Sequence, residues 1–215
     1  MTLEVLTRPR LAFLVLLVAV PGFAWASPPP GGDNSTVPGC ITLVGTAGGV
    51  PAPEGQFRVV VKDLANNPVV GAVVAVDLSF CADLHLCADQ LDPNATVNCA
   101  AKRVTKLTDG AGSVFFTVLG GSNGAGNATT LLNGGRVFEN GTLIGSPTVS
   151  AFDLDGSAGV GANDLSAWLT DFGSGQNFGR SDFDCSNNVG SNDLSLWLSV
   201  YGSGTMTSSC AASCP

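Results

Sequence analysis

The stretch QFRVVVKDLANNPVVGAVVAVDL, residues 56–78, decides the architecture. Phe57, Val59 and Val61 alternate with Arg58, Val60 and Lys62, the period of two that lays one face of a strand on a core. Asp63 to Pro68 is a cluster of turn formers, and a β-branched run resumes over 69–78. Further out, residues 104–107, a turn at Thr108-Asp109-Gly110 and residues 113–119 read as a hairpin. Weaker strand signals follow near 129–132, 136–138 and 148–152. About seven short strands with regular turns predict an antiparallel sandwich over 40–149.

Composition agrees and excludes several functions. Charged residues are 12% of the 215, and 28 are Gly, which favours short strands and turns over long salt-bridged helices. Nine Lys and Arg against 17 Asp and Glu leave a net charge of −8, so no basic face exists to displace counterions from nucleic acid. A lone His85 rules out a two-histidine metal site. Glu54 and Glu139 are the only glutamates after residue 26, and the clustered aspartates belong to two loops described below. A glycosidase needs two carboxylates across a cleft, and no such pair is legible, so no catalytic activity is expected.

The chain opens with Arg8 and Arg10, a ten-residue apolar run over 11–20 and Ala24-Trp25-Ala26, the pattern of a cleaved secretory signal peptide spanning 1–26. That run is too short to cross a bilayer, so no membrane span is expected. Residues 27–39, rich in Pro, Gly and Ser, read as a disordered leader. Export makes disulfides the natural state of Cys40, Cys81, Cys87, Cys99, Cys185, Cys210 and Cys214, with one thiol left over and the connectivity open.

Residues 61–74 (VKDLANNPVVGAVV), with 108–114 (TDGAGSV), resemble the bacterial immunoglobulin-like repeats of invasin-type surface proteins. The resemblance implies an immunoglobulin-like sandwich interrupted by a cysteine-bearing insertion over 80–102, expected as a stapled loop on its rim.

The C-terminal region is duplicated. Residues 153–175 align without gaps onto 182–204, an offset of 29, with 14 of 23 positions identical. Each copy reads as a loop and a short helix. A twelve-residue calcium loop takes oxygens from positions 1, 3, 5, 7 and 12, with position 7 giving its backbone carbonyl. The first copy supplies Asp153, Asp155, Ser157, Gly159 and Asp164, the second Asp182, Asp184, Ser186, Asn188 and Asp193, for two calcium sites. Three carboxylates per site point to the weaker extracellular affinities of roughly 10⁻⁴–10⁻³ M. Position 6 is Ala158 in one loop and Asn187 in the other, and Asn tolerates a left-handed turn better. Val160 and Val189 at position 8 can pair the two loops through a short strand. The stripes Leu165, Trp168, Leu169, Phe172 and Leu194, Trp197, Leu198, Tyr201 predict two helices burying an aromatic face against each other. Ser166, Thr170, Ser195 and Ser199 fall off those stripes and are expected to be exposed. Residues 153–204 carry seven aspartates against Arg180 alone.

The doubled Asp-x-Asp-x-Ser…Asp pattern with Leu-Ser-x-Trp-Leu downstream is similar to the dockerin modules of cellulosome-type assemblies. The resemblance implies a calcium-folded module over 150–204 that docks a cohesin-like protein on a scaffold or cell surface, in a polysaccharide-degrading context. By family position, Ala162-Asn163 and Ser191-Asn192 would carry recognition. The fold class expected is therefore mixed and two-domain: an all-β immunoglobulin-like sandwich followed by a small α dockerin-like pair, closed by a cysteine-containing tail over 205–215. The function expected is a secreted, non-catalytic calcium-binding protein that docks. The alternative is a structural or adhesive surface protein in which calcium only stabilises the fold.

Overall fold

The computed structural model describes residues 31–124, 133–157, 159–203, 210 and 213–214. Among them are thirteen strands: β1 (Cys40–Leu43), β2 (Thr46–Ala47), β3 (Val50–Pro51), β4 (Gln56–Val60), β5 (Val73–Asp77), β6 (Leu84–Leu86), β7 (Thr96–Asn98), β8 (Arg103–Leu107), β9 (Ser113–Thr117), β10 (Gly120–Ser122), β11 (Arg136–Glu139), β12 (Thr142–Gly145) and β13 (Thr148–Ala151). Two helices follow, α1 (Ala162–Ser174) and α2 (Ser191–Ser203).

The alternating apolar residues do what their period requires. A five-stranded sheet in the order β12-β11-β5-β8-β7 turns Val74, Val76, Val104 and Val137 inward. They meet Val59, Val114 and Phe116 of the antiparallel β4–β9 pair and Ile41, Leu43, Val149 and Ala151 of the β1–β13 pair. Fully burying each such side chain contributes about 1.5–3 kcal/mol, so this core is the main stabilising element. β1 and β13 run parallel, in register from Cys40 opposite Thr148 to Leu43 opposite Ala151. That pairing sets the first strand beside the one that leads into the first acidic loop.

The hairpin expected over 104–119 does not form. β8 pairs with β5 and β7, whereas β9 pairs with β4, so the two strands lie in opposing sheets. The link between them is an arch. The Asp109 carboxylate accepts the N–H groups of Ala111 and Ser113 at 2.8 and 2.9 Å. Gly112, at φ +67°, offers its carbonyl to the Val61 N–H. A turn signal fixes a reversal, but the inward valines on both sides select opposite layers.

The mixed, two-domain fold class with a small α dockerin-like pair is also corrected. The chain is mostly β, in several sheets with no closed barrel among the described residues, and its two helices have 13 residues each. At 1.5 Å per residue each is about 20 Å long, and the two do not make a core of their own. Instead Ala167 and Trp168 of α1 and Trp197 and Val200 of α2 bury against Val44, Ala52, Leu119 and Phe152 from the β part and Leu154 just after it. Leu169, Phe172, Leu198 and Tyr201 remain 46–52% exposed. The expected aromatic stripes are thus split, with each indole inward, Leu165 and Leu194 half-buried beside it, and the other members half-exposed.

Of the leader expected to be disordered, the described part is hydrogen-bonded: Gly31 N–H donates to the Lys62 carbonyl, and the Thr36 and Val60 main chains bond to each other. The cysteine-bearing insertion is tied to the distant tail instead of to itself. The bridges are Cys40–Cys185, Cys87–Cys210 and Cys99–Cys214, with Cα separations of 5.6, 5.1 and 5.0 Å. Cys81 is the unbridged cysteine, and burial, aided by the Asp83 charge, pushes its thiol up to about 12. Three disulfides are compatible with an extracellular protein. No helix among the described residues is long and apolar enough to cross a membrane. The expected signal peptide and the strand near 129–132 lie outside the described residues.

Candidate metal centres

Loop 1 (153–164) leaves the end of β13 and runs into α1; loop 2 (182–193) repeats it ahead of α2. In each, the carboxylate at position 12 closes the loop. Asp164 Oδ1 accepts the N–H groups of Leu154 and Asp155 at 2.6 and 2.9 Å, and Oδ2 accepts that of Gly161 at 2.6 Å. Asp193 does the same for Phe183, Asp184 and Gly190 at 2.6, 3.0 and 2.8 Å. The last contact in each set also holds the entry to the helix, where a carboxylate in the first turn meets the positive end of the helix dipole.

The remaining ligand positions converge on this closure. Asp153 Oδ1 accepts the Gly156 N–H at 2.8 Å, and Asp155 Oδ1 accepts that of Ser157 at 2.8 Å. In loop 2, Asp182 accepts the N–H groups of Ser186 and Asn187 at 3.0 and 3.1 Å, and Asp184 accepts that of Ser186 at 3.0 Å. One carboxylate oxygen from each of Asp153, Asp155 and Asp164 lies within 4.8 Å of the others, and the same holds for Asp182, Asp184 and Asp193. Ser157 and Ser186 sit at the exposed rim, Gly159 is half-buried and Asn188 is exposed. Asn187 adopts φ +62°, as its residue type permits; Ala158 lies outside the described residues. Val160 and Val189 form no strand with each other and pack into the core shared by helices and strands.

Both triads can hold a metal ion. Their donors are carboxylates, hydroxyls and backbone carbonyls, the set that suits a hard cation. The one nearby base is committed elsewhere: fully buried Arg180 donates Nε and Nη2 to Asp171 at 2.7 and 2.8 Å, and Nη1 to Ser122 Oγ and the Gly124 carbonyl. Burial therefore pushes the Asp164 carboxyl up to about 6 against its three N–H donors, with the Asp153 charge adding to the rise. Burial and then the Asp193 charge bring Asp182 to about 6 as well, and burial raises Asp193. Asp184, bonded by the Ser186 hydroxyl, is held below the ordinary range.

These shifts set a pH dependence. A carboxyl that holds its proton more tightly when folded contributes stability that is fully present below about pH 4 and lost as pH rises through about 6. A cation needs the deprotonated forms and restores that loss. A divalent cation held by these triads is thus expected to raise the denaturation midpoint more at pH 7 than at pH 5. Denaturant titrations at each pH, with calcium and with chelator, measure it; a pH-independent increase would contradict the burial of these carboxylates.

All eight positions expected to face a partner, Ala162, Asn163, Ser166 and Thr170 on one unit and Ser191, Asn192, Ser195 and Ser199 on the other, are exposed. The half-exposed Leu169, Phe172, Leu198 and Tyr201 lie beside them, which periodicity alone assigns to a core. The Asp171–Arg180 pair and the bridge from Cys185 of loop 2 to Cys40 do not follow from the sequence. The only prior sign of the first is Arg180 as the single base among seven aspartates. No family model matches the chain, and no curated protein or solved structure is significantly similar to it.

Proposed function

We propose that this is an extracellular, non-catalytic calcium-binding protein whose two loaded loops hold two equivalent helices for docking to a cohesin-like protein on a scaffold or cell surface. The observation that carries the calcium reading is the recurrence, 29 residues apart, of one triad closed in one way: three carboxylates within reach of a single ion, the last pinned by three backbone N–H groups. The docking reading is supported by the matched exposed residues on α1 and α2 and by the likeness of the repeats to dockerins. Residue identity at the loops, not the arrangement of the chain, carries that likeness.

Calorimetry with calcium is expected to give two ions per chain, and pull-down with a cohesin domain to give calcium-dependent capture. Replacing Asn163 and Ser166 by alanine is expected to weaken capture only a few-fold, since a partner can turn onto Asn192 and Ser195. Replacing all four is expected to abolish it. Capture that survives the fourfold change, or none by the unmodified protein with calcium present, would sink the docking reading.

One observation favours a second reading, in which calcium is an internal staple. Trp168 and Trp197 share a core with the strands, and Trp197 Nε1 donates to the Phe152 carbonyl at 3.2 Å, immediately before loop 1. Two bound ions without capture would leave this reading standing.

A further inference from the structure

The two loops are built alike and anchored differently. Position 4 of each turns through the left-handed region, at φ +72° for Gly156 and +60° for Cys185. Glycine enters that region without steric cost, whereas a residue with a β-carbon is disfavoured there. In loop 1 the glycine also lets the main chain press on a strand. A β-carbon on Gly156 would lie 2.7 Å from the Ser122 carbonyl oxygen, and Ser122 N–H donates to the Asp153 carbonyl at 2.7 Å. Loop 1 is thus located by β10 through backbone contact.

Loop 2 lacks that backbone contact. Among the described residues, none of its backbone groups pairs with the main chain of a strand; it meets the β part through side chains, Phe183 stacked on Phe152 with ring centres 5.0 Å apart and Val189 buried in the core shared by helices and strands. In place of a strand it has a covalent link. Cys185 stands between ligand positions 3 and 5, Asp184 and Ser186, and is bridged to Cys40 at the start of β1, 145 residues away. β1 is the parallel partner of β13, from which loop 1 issues, so one ladder carries both loops.

We infer that the Cys40–Cys185 disulfide is the positioning element of the second metal site. The bridge holds position 4 in its disfavoured turn, which keeps Asp182, Asp184 and Asp193 gathered before an ion arrives. Opening it frees the turn to relax and disperses the ligands of loop 2 alone. Linkage makes the effect mutual: a cation in loop 2 stabilises the bridge by the factor by which the bridge tightens the cation. The inference rests on the calcium reading above.

Two measurements test it. In an Asp155→Asn background, which isolates loop 2, the pair Cys40→Ser and Cys185→Ser is expected to weaken calcium binding by calorimetry about 10–100-fold, the range for groups that support metal ligands. In an Asp184→Asn background, which isolates loop 1, the same pair is expected to change affinity less than twofold. The second measurement uses the unmodified protein, so it does not depend on a variant folding. A dithiol such as dithiothreitol gives two electrons and two protons to the bridge, becomes a cyclic disulfide and leaves two thiols for alkylation. Mass spectrometry is expected to show calcium slowing alkylation at Cys40 and Cys185 far more than at Cys99 and Cys214. Equal loss of affinity at both loops, no loss at loop 2, or calcium protection spread evenly over the bridges would overturn the positioning role while leaving two metal sites. No calcium binding by the unmodified oxidised protein would overturn the metal reading itself, and this inference with it.

Discussion

Replacing Arg180 by alanine is expected to cost about 3–5 kcal/mol, the penalty for leaving a buried charge without its partner. Asp171 is 2% exposed, and without the guanidinium it keeps only the Ser181 hydroxyl, at 2.6 Å. Ser122 Oγ and the Gly124 carbonyl lose their donor together with it. For a chain of this size the loss corresponds to a fall in melting temperature of roughly 6–20 °C. Because the fork joins α1 to the end of β10, the change should loosen the helices from the strands first, and emission from Trp168 and Trp197 should shift before global unfolding. Pairing it with Asp171→Leu should recover most of the stability, since a buried ion pair is replaced by apolar contact more cheaply than it is halved. If alanine at 180 costs under 1 kcal/mol, the pair is hydrated in solution and the helices are held by their apolar contacts alone.

The second large effect is expected at Asp193. Alanine there removes the acceptor of three N–H groups, those of buried Phe183, of Asp184 and of Gly190, and each buried donor left unpaired costs about 1–3 kcal/mol. A loss of about 3 kcal/mol or more in chelator follows. Asparagine keeps the Oδ1 acceptor for Phe183 and Asp184 but sets an N–H against that of Gly190, so it should cost about 1 kcal/mol. Both variants should abolish binding at loop 2, because each removes a ligand charge. Denaturation in chelator separates them where calorimetry does not, and equal stabilities would mean that position 12 serves the ion only, not the closure of the loop.

How much of this was legible depends on the span of each interaction in the chain. The acidic loops could be read because their carboxylates fall within twelve residues and the pattern occurs twice, so Asp153, Asp155 and Asp164 announce themselves beside Asp182, Asp184 and Asp193. The strand period at Phe57, Val59 and Val61 was equally local, and β4 lies there. Layer assignment was not local. Val104 and Val114 both point inward, and nothing in the Thr108-Asp109-Gly110 turn distinguishes a hairpin from an arch between sheets. The two helices were local and form where each repeat places them, but their buried face was not: Leu169 and Trp168 are adjacent and apolar, and only the position of Phe152 and Leu154 decides which one is buried. Arg180 could not be placed, because its partners lie 9, 56 and 58 residues away.

The three bridges also impose a timetable on biogenesis. Each joins an early cysteine to one that emerges 115 to 145 residues later, at 185, 210 or 214. At about 5–20 residues per second of synthesis, Cys99 waits roughly 6–23 s for Cys214. Until Cys185 appears, Cys40, Cys81, Cys87 and Cys99 are together without any native partner, and four thiols admit three complete pairings among themselves, all wrong. A chain oxidised as it emerges is therefore steered toward dead ends. Productive maturation calls for thiols kept reduced until residue 214 has appeared, or for an isomerase that reopens the early mistakes by thiol exchange. Cys81 is the safeguard within the sequence itself: once the strands close over it, the surplus thiol is buried and protonated and takes no further part in exchange.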